Sequence, residues 1–384
     1  MPDFDVVVAG GSISGLLAAR EAARAGGLSV AVLEEDAEIG TPEHCGGLVS
    51  MEGVKNLGII PAVIENSRIK KARILPPSKN NGFEISAERQ RVVVLDRREL
   101  DKQAALQAQR AGAEIRVKCS VRSAAFDSDR KLCTIKTSEG DLTCRHFVDA
   151  RGVASIISRN REGVLLSAQY EVYADWIARD TIEVAFDSER YPGFFAWVIP
   201  AGDGQGKVGV AGKGINAASA LKSYMDSKGT KYSVVRKVYA PIWVSGPAKN
   251  FVDDDNNTVY VGDAAGQTKP TTAGGIYTCG MGGILAGRAI AAGDPAGYPP
   301  AWESLFKDEF DKMLLARRLL ERLDNRAIDD LFAAIPKEKL EEAASTGDFD
   351  FHSAALTKML SAKGAARMAK ALLGNEIRRL VDNG

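Results

Sequence analysis

Three glycine-bearing segments place acids and helix starts where a phosphate-rich ligand can be held. The first is Val6-Val7-Val8-Ala9-Gly10-Gly11-Ser12-Ile13-Ser14-Gly15. The second is Val148-Asp149-Ala150-Arg151-Gly152, and the third is Val259-Tyr260-Val261-Gly262-Asp263-Ala264-Ala265-Gly266. Asp5–Ala9 is an apolar, β-branched run suited to a buried parallel strand, and a helix is predicted to start near Ile13. Gly10 permits a tight turn, Gly15 lets helix pack on strand, and the helix N-terminus offers N–H groups to a pyrophosphate. Ser12 stands where a second glycine is usual, which narrows the approach of phosphate to backbone. A second strand, Ser29–Leu33, ends at Glu34-Glu35. That is roughly two dozen residues beyond the first glycine, where an acid would hold a ribose hydroxyl. Glu34 is the preferred acid and Glu35 the alternative.

Asp263 closes a predicted strand, where open α/β sheets bind ligands, and can accept a hydrogen bond from a ribitol hydroxyl. Its alternative role is a helix cap. Pro270-Thr271-Thr272-Ala273-Gly274-Gly275-Ile276 reads as a helix start whose dipole favours negative charge, such as that at N1 of a reduced flavin. Together the segments predict an extended FAD, contacted by Gly10, Ser12, Ile13, Ser14, Gly15, Glu34 or Glu35, Gly262, Asp263, Gly274, Gly275 and Ile276. Val121, Asp149 and Gly152 complete the expected set, with Asp149 either a ligand contact or a turn holder. Arg97 meets a flavin phosphate or pairs with Glu99 or Asp101.

The elements that must position these residues come from all along the 384-residue chain. After the βαβ unit, residues 66–95 alternate polar and apolar and read as hairpin strands. Asp96-Arg97 opens a helix ending near Gly112, strands run on to residue 150, and residues 164–243 read as a mostly antiparallel sheet with a helix around Ala217–Met225. Gly275–Ala292 is a small-residue helix, and from Ala301 the chain is helical and charged. The predicted fold is α/β with α+β: a discontinuous Rossmann-type FAD-binding domain (1–65, 96–155 and 250–300), an inserted antiparallel-sheet substrate domain (66–95 and 156–249) and a helical C-terminal region (301–384).

Composition removes several classes. Lys+Arg and Asp+Glu balance at 50 each, so no nucleic-acid partner is expected. Cys45, Cys119, Cys133, Cys144 and Cys279 form no C-x-x-C pair. With histidines only at 44, 146 and 352, no metal site is expected and a Ser-His-Asp triad is disfavoured. Scattered thiols, a start directly into a strand and no run of 18 apolar residues lead to the expectation of a cytoplasmic chain, with contact at the inner membrane face left open. Ala365, Met368, Ala369, Leu372, Leu373, Ile377 and Leu380 recur at helical spacing opposite Lys363, Arg367, Lys370 and Arg378. That face either docks on the core or meets lipid.

Two further segments carry a family resemblance. Pro42–Ser50, with Cys45 followed by Gly46-Gly47, resembles the cysteine loop of the geranylgeranyl reductase family, in its archaeal digeranylgeranylglycerophospholipid reductase-like branch. Pro192-Gly193-Phe194-Phe195-Ala196-Trp197-Val198-Ile199-Pro200 is similar to that family's P-x-x-Y-x-W-x-F-P signature, with Phe195 for Tyr and Ile199 for Phe. Gly262–Tyr277 is similar too, and the likeness spans residues 1–300, within the p-hydroxybenzoate hydroxylase-like FAD flavoproteins. The resemblance implies FAD-dependent saturation of isoprenoid double bonds on a polyprenyl lipid or prenyl diphosphate. It makes Phe194, Phe195, Trp197, Ile199 and Pro200 expected substrate contacts in an apolar tunnel, with sheet core as the alternative. It brings Cys45, Gly46 and Gly47 to the flavin.

An unactivated alkene accepts hydride poorly, so reduction must couple hydride from flavin N5 to proton delivery at the other carbon. A thiol titrating near 8.5 is a weak acid for that task. Cys45 therefore positions or relays, with His44 or a water supplying the proton. No second glycine motif of nicotinamide type occurs, so the electron donor stays open, with NAD(P)H and reduced ferredoxin as the alternatives. The alternatives are a flavin-dependent halogenase or monooxygenase, or an electron-transfer flavoprotein serving a membrane partner. A halogenase needs a placed lysine, and Lys79 lies in a Pro/Asn-rich loop.

Overall fold

The computed structural model describes residues 1–334 apart from 89, 90, 159, 254 and 256, together with 336 and 349–351. The chain opens with β1 (Phe4–Ala9), α1 (Ile13–Arg24) and β2 (Val30–Leu33). It leaves this unit through β3 (Leu48–Ser50), α2 (Met51–Asn56), β4 (Ile64–Asn66), β5 (Lys71–Leu75), β6 (Phe83–Ser86) and β7 (Val92–Leu95). It returns in α3 (Arg97–Ala111), β8 (Glu114–Arg116), β9 (Val121–Asp127), β10 (Leu132–Thr137) and β11 (Gly140–Asp149). A second excursion makes β12 (Val164–Tyr173), β13 (Thr181–Phe186), β14 (Phe195–Gly202), β15 (Gln205–Gly212), α4 (Ala217–Asp226) and β16 (Ser233–Trp243). Then come β17 (Thr258–Tyr260), α5 (Ile276–Ala291), α6 (Tyr298–Leu320) and α7 (Asn325–Ala334).

The first sheet has strand order β8-β2-β1-β11-β10-β9, with β17 beside β11. Its β8, β2, β1, β11 and β17 pairings are parallel. Val6, Val7 and Val8 are fully buried because α1 covers one face of the sheet and other strands and loops cover the other. Register sets Ala9 beside Leu33 and Asp149, and Asp149 beside Tyr260. All three glycine-bearing segments thus leave the same edge of one sheet. Asp96 caps α3 by accepting the N–H groups of Arg98 and Glu99, and Gly112 ends it in the left-handed region, as its sequence predicts.

The second sheet runs β16-β12-β15-β14-β13-β5-β6, and a third, β3-β7-β4, lies apart. Two expectations are corrected here, the pairing of the strands in 66–95 and the start of the C-terminal helices, while 164–243 is antiparallel as expected. Residues 66–95 do not form one set of hairpin strands: β5 and β6 join the large sheet, whereas β4 and β7 pair in the small one. The four residues of β7 are all buried, so the strand needs a neighbour on each edge and cover on each face, and it takes the central place between β3 and β4. The large sheet also contains one parallel pairing, β13 with β5. The helix α6 starts at Tyr298, ahead of the expected Ala301, and its Tyr298, Trp302, Phe306 and Phe310 are buried on one stripe. The amphipathic stretch from Lys363 to Leu380 and His352 lie outside the described residues. Among the described residues no helix is long and apolar enough to cross a membrane.

Helix α1 is clamped against α5, where a Cβ on Gly283 would fall 2.0 Å from the Ser14 carbonyl oxygen and one on Gly287 2.3 Å from that of Ala18. A buried charge cluster pins the same helix: Glu21 accepts from Arg20 and from Arg288, both at 2.9 Å, while Arg20 also donates to the Leu57 carbonyl. Burial raises the Glu21 pKa, but Arg288 and Arg20 outweigh it and hold the carboxyl below its ordinary value. Its stabilising contribution is therefore full above that ordinary value and lost as pH falls through the folded-state pKa. Glu21→Gln should destabilise the fold by about 2 kcal/mol at pH 7, the scale of a hydrogen bond to a charged group. The deficit should shrink as pH drops below 4. Denaturant unfolding of both proteins at the two pH values measures this, and a pH-independent difference would contradict it.

Candidate functional site

The turn after β1 has no room for a side chain at Gly10 or Gly11. Gly10 takes φ +109°, and a Cβ there would lie 2.5 Å from the Ala150 carbonyl oxygen, so the first and second segments touch backbone to backbone. A Cβ on Gly15 would lie 2.2 Å from the Gly10 oxygen. Gly262, the start of the third segment, takes φ +67°, with its Cβ position 2.5 Å from Ser14 Oγ. Ser12 is exposed and its side chain makes no capping bond. The amides of Ser14 and Gly15 lie in the first turn, where no intrahelical carbonyl reaches them. Glu34 accepts the Gly11 N–H at 2.6 Å and the Asp36 N–H at 2.9 Å; burial, above the opposing hydrogen bonds, raises its pKa. Glu35 is exposed.

A buried charge chain joins this turn to the cysteine loop. Asp101 on α3 accepts the Ile13 N–H and holds Arg97 with two bonds of 3.0 and 3.1 Å. Arg97 in turn donates to Cys45. Burial opposes its charge, but Asp101 and the Cys45 sulfur outweigh burial and raise its pKa. Of the two sequence options for Arg97, the carboxylate pairing is present, with Asp101 rather than Glu99. Its Nε is buried without a hydrogen-bond partner.

The loop itself is fixed on its other side by ion pairs. Glu43, 3% exposed, receives Lys207 of β15 at 2.7 Å and Arg236 of β16 at 3.1 Å, and Arg236 also donates to the Glu43 carbonyl. Lys207 pairs with Glu65 as well, at 2.9 Å. Burial works against its charge, yet the two glutamates raise its pKa. Cys45 is half-buried and accepts the Gly47 N–H at 3.4 Å, whereas the other four cysteines are buried. His44 is exposed; local desolvation and then Arg236 lower its pKa, against Asp36.

Gly46 meets the aromatic strand directly: a Cβ there would sit 2.5 Å from Ile199 Cδ1 and 3.4 Å from Gln169 Oε1. Gln169 accepts the Trp197 indole N–H at 3.1 Å. Phe194 and Phe195 stack at 4.1 Å, and Trp197 stands edge-on to both. Phe194, Phe195 and Ile199 are buried, and Pro200 accepts from Asn66 through its carbonyl. The aromatic cluster also packs against Ala273, just before Gly274 and Gly275.

In the third segment Asp263 follows β17, and its Oδ1 takes the Thr268 hydroxyl at 2.6 Å and the Cys279 thiol at 3.6 Å. Its Oδ2 has no partner among the described residues. Gly275 lies beside it, and Ile276 begins α5. Asp149 is buried and spent internally on Arg151 at 2.6 Å and Ser155 at 2.7 Å; Arg151 reaches on to the Val121 carbonyl. Gly152 takes φ +72° next to open space. Lys79 is exposed on its loop at φ +60°. Sequence reading missed the roles of Lys207, Arg236, Gln169 and Gln267. Gln267 is fully buried and clasps the Gly262 N–H and the Tyr298 hydroxyl. The available signal was a Gln within the apolar alternation of β12.

Free first-turn amides, an unpartnered buried Arg97 Nε and an open Asp263 oxygen fit a pyrophosphate- and ribitol-bearing cofactor. A model of the FAD binding domain matches residues 3–239. Digeranylgeranylglycerophospholipid reductase 1 of Methanopyrus kandleri is 31% identical over 90% of this chain and 97% of its own length. Digeranylgeranylglycerophospholipid reductase 2 of Methanothermobacter thermautotrophicus is 31% identical over 88% and 93%. The crystal structure of a geranylgeranyl bacteriochlorophyll reductase-like protein from Thermoplasma acidophilum shares the fold, with TM-score 0.81, 24% identity and coverage of 97% and 99%. A flavin-dependent brominase shares it more distantly, at TM-score 0.66 and 15% identity over 98% and 99%.

Removing the cation that Glu43 and Glu65 share should free the cysteine loop. Lys207→Met should cost about 3–5 kcal/mol, as breaking a buried pair does, and speed alkylation of Cys45, while Lys207→Arg retains slow labelling. Mass spectrometry of iodoacetamide-treated protein reads the rate, and unchanged labelling in Lys207→Met would show that the loop is held elsewhere. With the FAD-binding model spanning most of the chain and reductase relatives matched along nearly all of it, the protein is a flavoprotein of the geranylgeranyl reductase family.

Proposed function

We propose that this protein is an FAD-dependent reductase that saturates carbon–carbon double bonds of a polyprenyl chain carried on a lipid or a diphosphate. The observation that carries the reading is the seat of Cys45. Its loop is wedged between the aromatic strand, through Gly46 and Ile199, and the dinucleotide turn, through Arg97, Asp101 and Ile13. A thiol between an apolar wall and a cofactor turn suits an apolar substrate that needs a proton.

In this reading the Gly10–Gly15 turn holds the pyrophosphate, Glu34 a ribose hydroxyl, Asp263 Oδ2 a ribitol hydroxyl, and the Gly274–Ile276 helix start the ring edge. Reduced FAD, when bound, supplies the hydride. Cys45 then holds the acid position at the neighbouring alkene carbon, its sulfur oriented by the Gly47 N–H and Arg97. His44, next in the chain and exposed, is neutral at pH 7 with its lowered pKa and returns a proton from water. Trp197, pinned by Gln169, stands as one apolar wall. NAD(P)H or reduced ferredoxin provides the electrons, and the substrate is met at a membrane surface.

Asp263→Ala should lower flavin occupancy through loss of a hydrogen bond worth roughly 1–3 kcal/mol. Absorbance of the purified variant measures it, and full occupancy would remove Asp263 from the cofactor set. Cys45→Ser should keep its flavin and lose alkene turnover or change which bonds are reduced; wild-type products would make the thiol a bystander. The reading as a whole rests on an anaerobic assay with reduced enzyme. Geranylgeranyl lipid should reoxidise the flavin and yield saturated product. Turnover found solely when oxygen is admitted, with chloride plus indole or with a phenol, would overturn it.

A further inference from the structure

A cavity of about 740 Å³ opens between the small sheet and the β5–β13 side of the large one. Its floor is apolar, made by Met51, Ile69, Val92 and Val93. Three cations, Arg68, Lys70 and Arg91, converge on it, and none makes an ion pair among the described residues. Arg91 is held at φ +44°. Of the other lining charges Arg179 pairs with Asp203 at 3.0 Å, while two carboxylates, half-buried Asp180, which accepts the Thr181 hydroxyl, and exposed Glu88, leave the three cations in excess.

From this geometry we infer that the cavity seats the phosphate-bearing head of the polyprenyl substrate, an inference that rests on the reductase reading. Guanidinium and ammonium groups grip phosphate oxygens through charge-assisted bonds, with Arg able to bind two at once. A free inorganic anion would gain nothing from the apolar floor, whereas an amphiphile uses both. The floor adjoins the packing of the aromatic strand. Ile69 and Val92 belong to one apolar cluster with Val94, Ile182 and Ile199, against which Trp197 packs. Head seat and cysteine loop are therefore two sides of the same apolar layer. Phosphate on a prenyl chain is the shared chemistry of a prenyl diphosphate and a glycerophospholipid.

The test uses the full-length, FAD-loaded protein and measures equilibrium binding of geranylgeranyl phosphate and of geranylgeraniol. Wild-type protein should prefer the phosphate at least tenfold, with the preference falling as salt rises. R68Q/K70Q/R91Q should lose the preference and bind geranylgeraniol as wild type does. The single variants, each at an exposed position, should lose part of it, which guards against misfolding of the triple. Equal wild-type affinities, no binding of either compound, or an intact preference in the triple variant would overturn the seat. Geranylgeranyl diphosphate and a geranylgeranyl phosphoglycerol, compared in the same way, distinguish the two sources by which loses more affinity in the triple variant. Product analysis is scored separately: an intact phosphate preference without any saturated product would sink the reductase reading and leave the seat standing.

Discussion

The first two turns of α1 touch backbone, not side chains, on several sides. Gly10 and Gly15 bring β1 and Ala150 within contact of the helix start, Gly262 rests on Ser14, and Gly283 and Gly287 press α5 against Ser14 and Ala18. Such approaches tolerate no Cβ, and protein interiors are packed too densely to absorb one cheaply. This constraint draws three segments, from the start, middle and end of the chain, to a single point. The polar edge that results, with first-turn amides beyond the reach of intrahelical carbonyls, is a by-product of that packing and the place to which the proposed function assigns the cofactor phosphate.

From there charge carries the arrangement outward. Asp101 ties the Ile13 amide to Arg97, and Arg97 touches Cys45. On the far side Glu43 ties the same loop to Lys207 and Arg236 in the large sheet. Buried ion pairs seldom add net stability over well-packed apolar residues, but they are intolerant of losing a partner. Their value here is register: the loop that bears the thiol is suspended between two sheets and has one arrangement that satisfies both ends. Ile199, on the strand that also carries the stacked Phe195 and Trp197, gives that loop an apolar surface to close on.

Much of this was legible in the residues. The β-branched run before Gly10, the Asp96 cap and the Gly112 stop each have a local cause, so they read directly. The partition of residues 66–95 between two sheets did not, because strand pairing depends on partners far along the chain; the burial of all of β7 became apparent only once β3 and β4 flanked it. Lys207 and Arg236 sit in strands whose alternation suggests a solvent face, and only the fold brings Glu43 and Glu65 over them. The family signature located the aromatic strand. It did not convey that Gly46 sits against Ile199 with no room for a Cβ.

The pairing of β1 with β11 and of β11 with β17 has a consequence for how the protein is made. Val8 waits for Val148, and Val148 for Val259. On a ribosome the cofactor edge stays open until more than two-thirds of the chain has emerged, since loop closure over such spans is slow and entropically costly. The strands β12 to β16, contiguous and antiparallel, close among themselves first. The contiguous antiparallel part of the large sheet is therefore complete along the chain before β17, the strand that finishes the parallel edge beside β11, has been made.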